Sequence, residues 1–125
     1  MKLLAEVFTR ANIGPEDYTI NTWTTIHEVK SSIVGSMIIY FSATNITGSE
    51  SNNLTSKPIV VNARVIDSSG NIVQIIIPNR IIESESFSFD STQKIVMKPG
   101  DKLQVKADSK GIVFYATILT GLRMA

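Results

Sequence analysis

Apolar and polar residues alternate with a period of two along much of the chain, as in β-strands that pack one face on a core. The face of one predicted core strand is shared by Met37, Ile39, Phe41 and Ala43. The face of the next is shared by Val61, Ala63 and Val65. Helical periodicity is hard to find, and β-branched residues recur throughout, which favours an all-β chain.

Residues 94–119, KIVMKPGDKLQVKADSKGIVFYATIL, predict three short strands joined by two tight turns. Pro99 presets φ and Gly100 supplies the positive φ of a type II turn. The middle strand is predicted to face the core with Leu103, Val105 and Ala107. The last strand, Gly111 to Leu119, is apolar on both faces, so we expect its second face to meet another chain.

Turn chemistry divides the rest of the chain into short strands. Asp67-Ser-Ser-Gly70-Asn71 predicts a hairpin turn, which we favour over a calcium loop because the EF-hand's following Gly and distal Glu are missing. Its return strand is predicted over Ile72 to Ile77, ended by Pro78, which cannot donate to a ladder. Thr22 to Val29 predicts an early strand, and Thr47 to Lys57 a polar loop that is mobile or contacts a partner.

Counted together, these segments predict seven to nine strands separated by turns. The expected fold is an antiparallel β-sandwich or jelly roll with little or no helix. We expect a single domain over residues 1–125, with residues 1–21 as an N-terminal strand or arm followed by a loop.

Composition adds limits on partners. The chain of 125 residues has 12 Lys and Arg against 11 Asp and Glu, so its net charge of +1 gives no field that would attract nucleic acid or a membrane surface. We therefore expect no direct nucleic-acid or membrane partner. Glu6 and Arg10 interrupt the start of the chain before an apolar run develops, so we also expect no signal peptide. Charged residues make up only 18% of the chain, below the roughly 25% of typical soluble domains, which favours a surface partly covered by something other than water.

Few residues of the chain are candidates for a catalytic or metal-binding site. The chain has one histidine, His27, no cysteine and no G-x-S-x-G elbow, so we predict no catalytic, metal or cofactor site and no enzyme. The acidic residues Glu83 and Glu85 are better explained by a loop before Ser86 than by a carboxylate pair for glycoside hydrolysis. Five lysines recur every four residues from Lys94 to Lys110, and we interpret them as a solvated strand face.

Aromatic residues allow a second interpretation. A sugar-stacking platform would use some of Tyr18, Trp23, Tyr40 and Tyr115. They are scattered in the sequence and have mostly apolar neighbours, so packing in the core or an interface is the default.

The order of motifs resembles a known class. It runs from TTIHEV through FSATNITG and VVNARVIDSSGNIVQIIIPN to the closing segment KIVMKPGDKLQVKADSKGIVFYATIL. This resembles the small β-sandwich structural proteins of tailed-bacteriophage virions, in head-decoration, neck or tail roles, over about Thr24 to Leu119. The resemblance implies a non-enzymatic virion protein, made in the host cytoplasm, that forms homo-oligomers and contacts other virion proteins.

Two sets of contact residues are expected. The predicted interface residues on the last strand are Val113, Tyr115, Thr117 and Leu119. The alternative function is a carbohydrate- or receptor-binding module of a phage fibre or tail tip, with ligand or partner contacts at Trp23, Asn52 and Asn53. Head, neck and tail placement, symmetry and the partner's identity are left open by the sequence.

Overall fold

The structure, a computed structural model, describes residues 3–30, 33–48, 54–90 and 94–123. These residues form nine strands and no helix. In chain order they are β1 (Leu3–Ile13), β2 (Thr24–Glu28), β3 (Ile33–Asn45), β4 (Ile59–Ile66), β5 (Ile72–Ile82), β6 (Phe87–Asp90), β7 (Ile95–Met97), β8 (Lys102–Ala107) and β9 (Ile112–Arg123).

All strand pairs are antiparallel, and the strands form two sheets. In the first sheet β9 lies between β1 and β3, and β6 and β7 pair with different stretches of β3. The second sheet has the order β2-β8-β4-β5. The prediction of an all-β antiparallel sandwich is confirmed.

The core lies between the sheets and is built by alternate residues of central strands. Leu103, Val105 and Ala107 of β8 are buried as predicted. Opposite them, the first sheet contributes Phe41 and Phe114, whose ring centroids are 6.4 Å apart. Val61, Ala63 and Val65 of β4 are each fully buried, which confirms the face predicted for that strand.

The two turns of the closing segment carry the chain from one sheet to the other. β7 and β9 belong to the first sheet and β8 to the second. At the first turn the Asp101 N–H donates to the Lys98 carbonyl (3.0 Å) and Gly100 has φ +94°, as a type II turn requires. The segment therefore connects the two layers of the sandwich.

The predicted face of β3 is wrong in its first half. Ile38 is buried, while Met37 and Ile39 are only partly buried. The pairing of β3 with β9 shifts between Ile38 and Tyr40, which marks a β-bulge. A bulge inserts one residue into the alternation, so the side chains on either side of it exchange faces. After it, Phe41 and Ala43 point into the core as predicted.

The predicted end of β5 at Pro78 is also wrong, because the strand continues to Ile82. β5 is an edge strand, where a proline without an N–H is tolerated. The pairing with β4 shifts here, between the Val61 and Ala63 positions of β4. Asn79 has φ +43° and donates its N–H to the Asn62 side-chain oxygen (2.7 Å), so this N–H has a partner where the pairing of β5 with β4 shifts.

The hairpin turn predicted at Asp67–Asn71 and the loop predicted before Ser86 agree with the structure. Asp67 Oδ1 accepts hydrogen bonds from the N–H groups of Ser69 and Asn71, both at 2.9 Å, within a hairpin turn. A turn separates β5 from β6, where the Ser86 N–H donates to the Glu83 carbonyl (3.1 Å). At the N-terminus, β1 pairs with β9 along Leu3–Ile13, so this segment is a strand of the first sheet.

Candidate functional site

The four predicted interface residues lie on the outer face of the first sheet. Val113, Tyr115, Thr117 and Leu119 are each partly exposed. They alternate with the fully buried residues Ile112, Phe114, Ala116 and Ile118. β9 is a central strand, so this outer face is flanked on both sides by side chains of β1 and β3.

An apolar row crosses this outer face. Leu119 lies opposite Phe8 of β1 on one side and Met37 of β3 on the other, and Met37 in turn lies opposite Val96 of β7. Directly opposed residues of antiparallel strands are close neighbours on the same face of a sheet. Phe8 is 69% exposed and Val96 60% exposed, so both ends of the apolar row face solvent in the single chain.

An aromatic pair lies beside the apolar row on the same face. Tyr40 and Tyr115 meet edge to face, with ring centroids 6.1 Å apart. Tyr40 lies opposite Thr117, which lies opposite Arg10 of β1. The face is therefore apolar at the row and amphipathic next to it, the mixture common at the cores of protein interfaces.

Trp23 lies on the outer face of the second sheet, on the opposite side of the sandwich. The Arg64 guanidinium carbon is 3.8 Å from the centre of its ring, and Lys106 Nζ is 4.8 Å from it. Both distances are within cation–π range. The Trp23 indole therefore contacts two cationic side chains, Arg64 of β4 and Lys106 of β8.

A hydrogen bond to Gln104 also fixes the position of Arg64, in addition to its contact with Trp23. Its Nε donates to Gln104 Oε1 at 3.0 Å, and Gln104 Nε2 donates to Thr25 Oγ1 at 3.1 Å. These three residues lie opposite one another on β4, β8 and β2. The guanidinium is thus oriented by an indole and an amide together.

Two adjoining cavities beside Trp23 share the lining residues Asn62 and Asn79, and we call them together the Trp23 groove. One has a volume of about 300 Å³ and is polar, with Asn21, Lys106 and Asp108 in its lining. The other has a volume of about 190 Å³ and is mostly apolar. Its lining includes Trp23, Arg64, Ile75 and Pro78.

The other predicted contact residues cannot be placed beside Trp23, since Asn52 and Asn53 lie outside the described residues. Within the same predicted loop, Thr47 is fully buried, so the loop begins in the interior of the protein. Its other end, with Leu54 and Lys57, lines a cavity of about 410 Å³ together with Ile20 and Lys110.

The four aromatic residues considered for a sugar platform are not brought together. Tyr18 is in the core, where its hydroxyl donates to the Ser109 carbonyl (2.6 Å) and accepts from the Ile112 N–H (3.1 Å). Burial raises the pKa of Tyr18. Trp23 lies on one outer face and the Tyr40–Tyr115 pair on the other.

His27, the chain's one histidine, makes no catalytic constellation among the described residues. Its Nε2 atom is buried without a hydrogen-bond partner there, and burial lowers its pKa. In the same ranges, no group of three His, Cys, Asp or Glu side chains is placed to hold a metal ion. Nor does the described part contain a helix able to cross a membrane.

On both outer faces, the sequence did not predict which residues of other strands lie beside the predicted contact residues. Phe8 and Val96 are more than 80 residues apart and are neighbours of the same row only through the pairing of four strands. Arg64 lies on β4 and Lys106 on β8, and their shared contact with Trp23 depends on the strand order β2-β8-β4. Nothing in the local pattern marks either arrangement.

Comparison with known proteins gives distant structural matches. No family model and no curated protein matches the chain. Among solved structures, the chain is similar to the CBM22-1–GH10 modules of a Clostridium thermocellum endo-1,4-beta-D-xylanase 10B complexed with xylohexaose, with 8% identity and a TM-score of 0.31 over 95% of this chain and 26% of that one. It is also similar to a Staphylococcus aureus CocE/NonD family hydrolase, with 12% identity and a TM-score of 0.23 over 99% of this chain and 34% of that one. At these TM-scores neither likeness bears on function.

Proposed function

We propose that this chain is a non-enzymatic structural protein that assembles with copies of itself and with other virion proteins, as a component of a tailed-phage particle. The virion setting is supported by the sequence motifs from Thr24 to Leu119. The mode of assembly is supported by the outer face of the first sheet. Its mechanism is adhesion by a shaped apolar surface, without a chemical step.

The observation that carries the proposal is the apolar row of Phe8, Leu119, Met37 and Val96. Its two ends are exposed by 69% and 60%. Fully burying a side chain of this size contributes about 1.5–3 kcal/mol. A face of four strands also offers the breadth of a standard interface, which buries about 800 Å² on each partner. The predicted interface residues of β9 lie within the same face, so they would be buried with the row.

A matched pair of variants tests which face assembles. Val96→Lys places a charge in the row, and Ile81→Lys places the same charge at an apolar residue of β5 in the second sheet that is equally exposed, 60% in both cases. Light scattering during size-exclusion chromatography should show an oligomer for the unmodified protein and for Ile81→Lys, and a smaller species for Val96→Lys. A monomer at every concentration, or dissociation by Ile81→Lys alone, would refute assembly through this face.

The virion setting needs its own experiment. Antibodies raised against the purified chain should label intact particles in electron micrographs at regular positions, and mass spectrometry of purified particles should recover its peptides. Particles that lack the chain would refute the virion role even if the purified protein forms oligomers.

A further inference from the structure

We propose that the Trp23 groove binds an acidic carbohydrate, a sugar that carries a carboxylate, with Arg64 and Lys106 as the residues that recognise its charge. This site lies on the second sheet, whereas the assembly face is on the first. The inference is therefore independent of the proposed assembly, and each can fail without the other.

The Trp23 groove is lined by two cations, Arg64 and Lys106, and by one carboxylate, Asp108. No ion pair joins Arg64 or Lys106 to a carboxylate within the described ranges, and both contact the Trp23 ring instead. The acid in the lining, Asp108, is engaged by the backbone, since its Oδ1 accepts from the Val60 N–H at 3.0 Å. A ligand that enters the groove thus meets an excess of cations, which favours an anion.

The Arg64 side chain is held in one orientation. Its Nε is used by Gln104, which leaves the terminal N–H groups of the guanidinium as donors. A planar guanidinium held between an indole and an amide loses little side-chain entropy when it binds. Carboxylates match this donor geometry with two parallel hydrogen bonds.

The rest of the groove selects a sugar among anions. Asn62 uses its oxygen to accept from the Asn79 N–H (2.7 Å), so its NH₂ group remains a donor for ligand hydroxyls. Ile75 and Pro78 line the apolar end, which suits the C–H face of a sugar ring. Inorganic anions would use the cations but neither of these features.

The size of the groove fits a short saccharide. Its two cavities have volumes of about 300 and 190 Å³ and adjoin at Asn62 and Asn79. Small-molecule sites begin at about 300 Å³. The polar end and the apolar end lie side by side along the sheet, so a ligand of one to three sugar rings would contact both.

Trp23 provides a direct signal because it is the chain's one tryptophan. Its fluorescence should change on titration with 3′-sialyllactose or trigalacturonate, and remain unchanged with lactose or the methyl ester of trigalacturonate. The response should weaken as sodium chloride is added, because exposed charges are screened. An array of sialylated and uronate-containing glycans extends the same measurement to other acidic sugars.

Charge-removing variants locate the site. Arg64→Gln and Lys106→Gln should each weaken binding about tenfold or more, as expected when a charge-assisted hydrogen bond is lost. Lys102→Gln is the matched control, since Lys102 shares a strand face with Lys106 but does not line the groove. Circular dichroism checks that each variant is folded, and if Arg64→Gln is not, Lys106→Gln still decides.

Several results would overturn the inference. They are equal binding of the neutral sugars, no binding to any acidic glycan of the array, or equal weakening by Lys102→Gln and Lys106→Gln. Inorganic phosphate that displaces the sugars at their own affinity would show a general anion site, which also rejects recognition of carbohydrate.

Discussion

The side chain of Asn45 is hydrogen-bonded to Thr47 through two bonds inside the protein. Asn45 Oδ1 accepts from both the N–H (3.0 Å) and the hydroxyl (2.6 Å) of Thr47. Both residues are fully buried. Asn45 Nδ2 donates to the Lys57 and Ile82 carbonyls, each at 2.8 Å. One side chain therefore ties the end of β3 to the end of β5 and to the segment that precedes β4.

Asn45→Ala should destabilise the protein by about 2–4 kcal/mol, because it removes the hydrogen bonds that the Asn45 side chain makes to two buried backbone groups, the Thr47 N–H and the Ile82 carbonyl. Urea unfolding followed by circular dichroism measures the loss. The control is Asn71→Ala, at an exposed turn position, which should change the free energy of unfolding by less than about 0.5 kcal/mol. Similar losses for the two variants would contradict a special role for Asn45.

Gly111→Ala should be more destabilising than Gly70→Ala, although both glycines have positive φ. A Cβ at Gly111 would collide with Thr47 Cγ2, whereas a Cβ at Gly70 would meet nothing within 4 Å. Backbone strain of about 1–3 kcal/mol applies to both, and only Gly111 adds a collision. The measurement is again urea unfolding of the two variants.

A double-mutant cycle isolates that collision. Thr47→Ser removes the methyl group and keeps the hydroxyl that Asn45 binds. Combined with Gly111→Ala, it should recover part of the lost stability, so that the two effects are not additive. Strict additivity would show that the Thr47 methyl group does not contribute to the cost at Gly111.

Local patterns sufficed for the elements but not for the contacts between them. The alternation at Leu103, Val105 and Ala107 and the turn at Pro99-Gly100 depend on neighbours in sequence, and both were predicted correctly. The faces of β3 and the continuation of β5 past Pro78 were not, because a bulge depends on the register of the partner strand. The apolar row and the Trp23 groove each need several strands in a given order, which periodicity does not encode.

Tyr18→Phe should cost about 1–3 kcal/mol at neutral pH, since it removes a hydroxyl that donates to the Ser109 carbonyl and accepts from the Ile112 N–H. The loss should shrink in alkali. Burial raises the pKa of Tyr18 above the value of about 10 that it has when unfolded, so its contribution is complete below pH 10 and is lost as pH rises further. Unfolding of both proteins across this range measures the difference, and a difference independent of pH would contradict the mechanism.

His27 should make the stability of the protein depend on pH in the opposite direction, with stability lost as the pH falls. Its Nε2 is buried without a partner in the described part of the chain, and burial lowers its pKa below the value of about 6.5 that it has when unfolded. Below pH 6.5 the unfolded chain therefore binds a proton that the folded protein resists, so stability falls as the pH drops.

Replacing His27 by Gln isolates this effect, because Gln does not titrate. The unmodified protein should lose more stability than His27→Gln between about pH 8 and pH 5, since only its unfolded state gains the proton. Urea midpoints at several pH values measure the two slopes. Equal slopes would mean that the folded protein protonates His27 as readily as the unfolded chain does, which is incompatible with a desolvated, unpartnered imidazole.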